Sequence, residues 1–206
     1  MLLPSLLRRW RRGVDLLVVA IPMNSVPLLP RDLLRELPAD SPIVDTGNYI
    51  PALVGVIDEI EAGLTESEWT SRVLGRPVTT VFNNIITYSL IHGRVAKGSK
   101  DRIALPVSSY GTKSKGFVIA LLDDMGFDAV DAGPLSESWR QQPGTPAYAT
   151  DHSADTLQVE LGRTDRMIAP QMRDALRQKL FSLPPDTTPQ AVVQLARTLW
   201  TEQRAK

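Results

Sequence analysis

Five short apolar runs, rich in β-branched residues, punctuate the chain: "VDLLVVAIP" (14–22), "SPIVDT" (41–46), "PVTTVFN" (77–83), "RIALPV" (102–107) and "FDAVDAG" (127–133). None alternates cleanly between apolar and polar positions, so each reads as a strand covered on both faces. The intervening segments carry the helical spacing instead. Residues 25–37 place Leu28, Leu29, Leu33, Leu34 and Leu37 on one stripe, and 65–74, 84–92 and 112–125 follow suit, the last closing at Gly126 as a C-cap. Strands alternating with helices predict parallel β-α units joined by right-handed crossovers, hence an α/β class.

After Tyr148 the strand signals stop. Apolar positions at Leu157, Leu161, Ile168, Met172 and Leu176 predict helix from about Ala154 to Phe181, which Pro170 must kink or divide. "LPPDTTP" (183–189) is a linker, with Thr188 the N-cap and Pro189 the first residue of a final helix to about Gln203. No internal repeat or low-complexity tract interrupts this pattern. The expected organisation is a sheet domain over 1–150 and a helical extension over 151–206.

Charge and composition narrow the chemistry. Among 206 residues, 23 basic and 23 acidic side chains cancel, so no global field draws in nucleic acid or an anionic membrane, and neither is expected as a partner. The absence of cysteine excludes disulfides, thiolate zinc sites, iron–sulfur clusters and cysteine nucleophiles, and makes the cytoplasm the simplest compartment. The opening "MLLPSLLRRWRRGVDLLVVAIP" has the outline of a signal peptide, but Asp15 and the brevity of the apolar run favour a buried strand. No G-x-S-x-G turn is present, and His92 and His152 lack motif-spaced partners. Asp151, His152 and Asp155 read as helix-start residues rather than metal ligands, so no metal is expected. The pairs Asp123–Asp124 and Glu59–Glu61 read as solvated faces.

Polar turns at the strand ends are more informative: "AIPMNS" (20–25), "DTGNY" (45–49), "FNN" (82–84) and "DAGPLS" (131–136). In an open parallel sheet the ligand crevice lies along the carboxyl edge, where backbone amides approach a bound group. Any one of these turns is equally well a plain turn; their joint occurrence favours a site.

The stretches "VDLLVVAIP", "VDTGNY", "LGRPVTTVFNNI", "RIALPV" and above all "GFDAVDAGPLSESWRQQPGTPAY" together resemble the NADPH-dependent deazaflavin (coenzyme F-420) reductase-like proteins, over residues 13 to 150. The resemblance implies a Rossmann-type oxidoreductase transferring hydride between NADP and a deazaflavin or similar acceptor. It implies that Ile21 and Pro22 run beside the cofactor, that Asn48 presents a polar group to it, and that Asn83 and Asn84 lie near the nicotinamide amide. Gly133, Pro134, Leu135 and Ser136 are then expected to border the acceptor pocket, with Trp139 and Gln141–Gly144 as its outer wall, although Trp139 alone reads better as a core anchor. No residue is assigned a catalytic role, because hydride transfer depends chiefly on holding two carbons face to face.

Against that family's pattern the sequence holds no G-x-G-x-x-G turn, the element whose amides and helix N-terminus hold the pyrophosphate. The expectation is a shortened sheet lacking its first two β-α units, with impaired NADP binding. Arg8, Arg9, Arg11 and Arg12 offer a replacement anion site, but an amphipathic helix with Leu3, Leu6, Leu7 and Trp10 on its apolar side fits them better. "PVSSYGTKS" (106–114) also departs from the family, which commonly carries a Gly-Asp/Asn pair there, so the role of Ser108 and Ser109 stays open. Three readings follow: an oxidoreductase, inactive if the phosphate-binding motif is indispensable; a non-catalytic interaction remnant whose bare sheet edge recruits a second copy or a partner chain; and an enzyme using the same cleft for another small molecule.

Overall fold

The computed structural model describes residues 14–35 and 37–204. The readings of residues 1–12, both the amphipathic helix and the arginine anion site, lie outside them. Five strands form one sheet in sequence order: β1 (Leu17–Val19), β2 (Ile43–Asp45), β3 (Thr79–Thr80), β4 (Ala104–Ser109) and β5 (Asp128–Asp131). Each falls within or overlaps a run singled out by its apolar pattern. β1–β2, β2–β3 and β4–β5 pair in parallel, giving a Rossmann-like α/β fold. β3 and β4 pair antiparallel, Thr79 opposite Ser109 and Thr80 opposite Ser108, which the strand-helix alternation did not predict.

The absence of alternation has a direct cause. Ile43 and Val44 are neighbours in β2, yet both are buried, because each serves a different layer. Ile43 joins Val19, Met23, Val26, Trp69 and Leu135 on one face, whereas Val44 joins Val81, Leu105, Val107, Val118, Leu122 and Phe127 on the other. The first layer is built by a 3-10 helix (Met23–Leu28), α1 (Arg31–Arg35) and α4 (Glu66–Leu74), and the second by α6 (Thr112–Met125). Between β2 and α4 stand two single-turn helices that the sequence pattern did not reveal, α2 (Pro51–Val54) and α3 (Asp58–Glu61); α5 (Thr87–His92) follows β3. The helix expected over 25–37 splits, because Pro27 and Pro30 each withhold a backbone donor. α6 keeps the expected bounds and ends on Gly126 at φ 92°, the left-handed conformation that favours glycine.

The C-terminal helices are α7 (Ala154–Gly162), α8 (Ala169–Phe181) and α9 (Pro189–Arg204). Pro170 sits in the first turn of α8, where its missing N–H costs nothing, and the helical stretch is divided just before it. Thr188 Oγ1 accepts from Ala191 N at 3.3 Å, as an N-cap does. α7 packs directly on the sheet, with Leu157 and Leu161 against Ala104 and Val130. α8 and α9 bury Met172, Leu176, Ala196, Leu199 and Trp200 around Ala149. No described helix is long and apolar enough to cross a membrane.

Candidate functional site

Three polar turns meet at the edge where β1, β2 and β3 end. Thr46 ties the turn after β2 to β1, its N and Oγ1 both donating to Val19 O at 3.2 and 3.3 Å. A Cβ on Gly47 would stand 3.3 Å from Met23 Cγ and 3.0 Å from Asp45 Oδ1, so the turns of β1 and β2 pack closely there, and a larger residue would need those side chains to give by a few tenths of an ångström. Asn48 Nδ2 donates to Asn83 O at 3.1 Å and joins the turn after β3. Ile21, Pro22, Asn48, Asn83 and Asn84 therefore share one edge. Asn48 is half-buried, and its Oδ1 has no hydrogen-bond partner.

Asn83 is buried and engaged at both ends of its amide. Its Nδ2 donates to Gln141 O at 2.9 Å, and its Oδ1 accepts from Gln141 Nε2 at 3.0 Å. Gln141 Nε2 also reaches Pro106 O at 3.2 Å, while its Oε1 accepts from Ser108 Oγ at 3.1 Å. Ser108 and Ser109 thus belong to β4 itself, Ser109 Oγ lying 2.8 Å from Thr79 Oγ1. Asn84 Nδ2 donates to Ala147 O at 3.2 Å, and its carbonyl accepts from Ala149 N at 2.7 Å. The polar pair thereby latches the loop after β3 to the 141–149 passage. Three non-glycine residues adopt positive φ in this latch region, Phe82 at 67°, Ala149 at 59° and Asp151 at 46°. Each costs about 1–3 kcal/mol, strain that tends to collect at functional loops.

The antiparallel turn of the sheet divides the strand ends that the sequence grouped together. β5 runs against β1–β3, and Ser109 N donates to Gly133 O at 3.3 Å opposite Thr79, so Gly133 is level with the first residue of β3. Through the same register Gly133 is level with Val44 and Val18, the middle of β2 and β1, so Gly133, Pro134, Leu135 and Ser136 follow a strand that runs toward the edge where β1–β3 begin, and Leu135 is fully buried in the core. The second 3-10 helix (Leu135–Gln141) then carries Trp139, Gln141 and Gln142 back toward the carboxyl edge.

There a cleft of about 310 Å³ opens between Tyr49, Glu66, Trp139, Gln142, Arg166 and Arg173. Beside it Gly144, at φ 85°, meets the start of α8: a Cβ there would lie 2.1 Å from Ala169 O and 2.4 Å from Arg173 N, so only glycine lets α8 close on the loop. Glu66 is 4% exposed and starts α4. Burial pushes its carboxyl well above the usual range, and the nearby Asp45 carboxylate pushes the same way, against the Tyr49 N–H and the Arg173 charge. Burial likewise raises Asp45, opposed by the Gly47 N–H and the hydroxyls of Ser67 and Thr70. It pushes Tyr148 up to about 12, with the charge of Glu66 adding to the effect. Sequence reasoning missed Asp45 and Glu66; an acid at the close of an apolar strand is the one local signal available.

Of the acidic pairs read as solvated faces, Glu59, Glu61 and Asp124 are exposed, while Asp123, Glu59 and Glu61 also hold partners. Asp123 ion-pairs with the buried Arg102 at 2.8 Å and with Lys97, and its carboxyl is held below the usual range by Lys97 and then Arg102. Glu59 accepts from Trp69 Nε1 at 2.8 Å and Glu61 from Tyr49 OH at 2.9 Å. A second cleft, of about 480 Å³, lies between α5 and α9, where Ser89 bonds to Asp151 and Arg197 donates to Thr150 O and Asp151 O.

Sheet order, layering and the polar carboxyl edge define a Rossmann-like α/β protein. No family model matches the sequence. The curated protein YjhV of Escherichia coli is 41% identical over 66 residues, 32% of this chain and 48% of that protein, so the chain spans about half the length of the curated relative it matches. A hypothetical protein of Sinorhizobium meliloti, known as a crystal structure, superposes with a TM-score of 0.55 at 24% identity, over 71% of this chain and 69% of the other; that likeness is one of fold. Looser likenesses, which bear no weight for this chain's chemistry, are to a structure described as a "putative f420 dependent nadp-reductase" of an Arthrobacter species (TM-score 0.48, 19% identity, 64% of this chain and 60% of the other) and to a pyrroline-5-carboxylate reductase of Coxiella burnetii (0.42, 12%, 96% and 73%).

Proposed function

We propose that the chain is an oxidoreductase-type protein that places NADP(H) along the carboxyl edge of β1–β3 for hydride exchange with a deazaflavin or similar acceptor. The observation that carries this reading is the convergence of Ile21, Pro22, Asn48, Asn83 and Asn84, distant in sequence, on one edge of a mostly parallel sheet. Ile21 and Pro22 flank the cofactor. Asn48, whose Oδ1 lacks a partner, takes the nicotinamide amide N–H. Asn83 is a positioning residue, since Gln141 occupies its amide. NADP would supply the hydride; the residues supply orientation and exclusion of water. For the acceptor, Gly133–Ser136 contribute through the helix they launch, which sets the Trp139–Gly144 wall.

The sequence as it stands offers no glycine-rich turn for the pyrophosphate, so affinity is low. Calorimetric titration with NADPH is expected to give saturable binding weaker than about 100 μM, and Asn48→Ala to weaken it by about tenfold. A low-micromolar constant would show that the glycine turn is dispensable here. No binding to folded protein would overturn the oxidoreductase reading and leave the alternative, an interaction module. That second reading draws on the outer edge of β1, where Val18 is 46% exposed and no described strand pairs.

A further inference from the structure

The cleft beside Glu66 holds polar groups that the dinucleotide edge does not use. Two of them that line the cleft, Glu66 Oε2 and Gln142 Nε2, are buried without a hydrogen-bond partner, as are Asp45 Oδ2 and Thr70 Oγ1 close by. Leaving such atoms unpaired costs about 1–3 kcal/mol each, a cost that a ligand's complementary atoms remove. Two guanidiniums line the same space: Arg166, 5.5 Å over the Trp139 ring, and Arg173, 5.4 Å over the Tyr49 ring. Glu61 on the rim accepts from Tyr49 OH, a bond that does not cancel its charge, Arg166 donates to Gly63 O through Nη2, and Arg173 pairs with Asp174 through Nε and Nη2, which leaves each guanidinium further N–H groups to offer a ligand. The cleft thus presents cationic and amide donors against a flat aromatic wall.

We propose that this cleft binds a small organic carboxylate, its two oxygens received by Arg166, Arg173, Gln142 Nε2 and the carboxyl of Glu66, with its body against Trp139. A carboxylate oxygen meets Glu66 Oε2 only through one shared proton, and Glu66 is placed to keep it. The titratable and charged groups facing it are Asp45 from β2, Tyr49 from the following turn, Tyr148 and Arg173 from α8; burial and Asp45 favour the protonated form, and Arg173 opposes it only in part. Binding therefore weakens as pH rises through the raised pKa of Glu66. The volume of about 310 Å³ suits an acid of a few carbons or a single ring. The cleft shares the Trp139–Gly144 wall that the proposed function gives to the acceptor, so the inference bears on that same pocket, but its test needs no dinucleotide and can fail or succeed apart from NADP binding.

The test is titration of the full chain, without NADP, with benzoate and with acetate, followed by calorimetry and tryptophan fluorescence over a series from about pH 6 to about pH 10, where both probes stay ionised. Saturable binding is expected at the acid end, weakening at least about threefold across the series. Glu66→Gln keeps a donor and loses the titration, so its binding should persist and become independent of pH. Arg166→Met should weaken binding at least about tenfold throughout the series. The proposal is overturned if neither probe binds protein that retains its thermal transition. It is equally overturned if inorganic phosphate or butylamine binds as tightly, or if Glu66→Gln keeps the pH dependence.

Discussion

Asn83 and Asn84 are adjacent and chemically identical, yet each has its own partners. Asn83 closes a reciprocal amide pair with Gln141, and Asn84 reaches Ala147 instead. Which of several asparagines meets a ligand and which braces a loop depends on partners some 60 residues away, so the sequence gives the residue types without the roles. The same holds for Glu66. It opens α4 beside the capping pair Thr65 and Glu68, a place where acids usually face water, and is nevertheless 4% exposed, in the cleft lined by Trp139 and Arg173. Its folded-state carboxyl is raised above the unfolded value, so the stability linked to its proton is fully present below the unfolded pKa and is lost as pH rises through the folded one. Glu66→Gln should therefore stabilise the fold by about 1–3 kcal/mol near neutral pH, a gain that vanishes in acid. Urea melts of the two proteins across pH measure it, and parallel curves at all pH would show that Glu66 is not held protonated.

At the scale of elements, the strands were legible because β-branched apolar runs have few other uses in a chain this polar. Prolines marked where helices start or divide. The two 3-10 helices and the single-turn α2 and α3 were not, since one turn shows no periodicity. The Pro143–Gly144 turn was legible as a turn but not as a joint. At φ 85°, and with a Cβ position 2.1 Å from Ala169 O, Gly144 decides whether α8 docks on the cleft. Gly144→Ala combines left-handed strain with a backbone clash and should destabilise by about 3 kcal/mol or more, loosening α8 and α9 first. Hydrogen exchange resolved by segment is the measurement. Unchanged protection of residues 169–181 would mean that the loop yields instead.

For the molecule as a whole, the register fixes which backbone groups of β1 remain available. Leu17 N donates to Pro42 O and Val19 O accepts from Thr46 N, so by alternation the N–H and C=O of Val18 point away from β2. If the outer edge recruits a second copy, as the interaction reading holds, Val18→Pro removes the outward donor, keeps every β1–β2 bond and should convert an associating protein to monomer. Sedimentation velocity distinguishes the cases. Equal sedimentation of both proteins as monomers would remove the physical support for edge pairing.

The sequence by itself determined the class of fold, the positions of the five strands and the candidate turns, because apolar burial on two faces, proline and glycine leave local marks. Only the tertiary structure decided which turns share an edge. That decision hangs on β4 entering antiparallel to β3, which points the strand before Gly133–Ser136 toward the edge opposite Asn48, Asn83 and Asn84. It also decided that Glu66, Gln142, Arg166 and Arg173 face one another. Strand direction and the meeting of distant side chains are set by the summed packing of both layers, and no short stretch of sequence contains that sum.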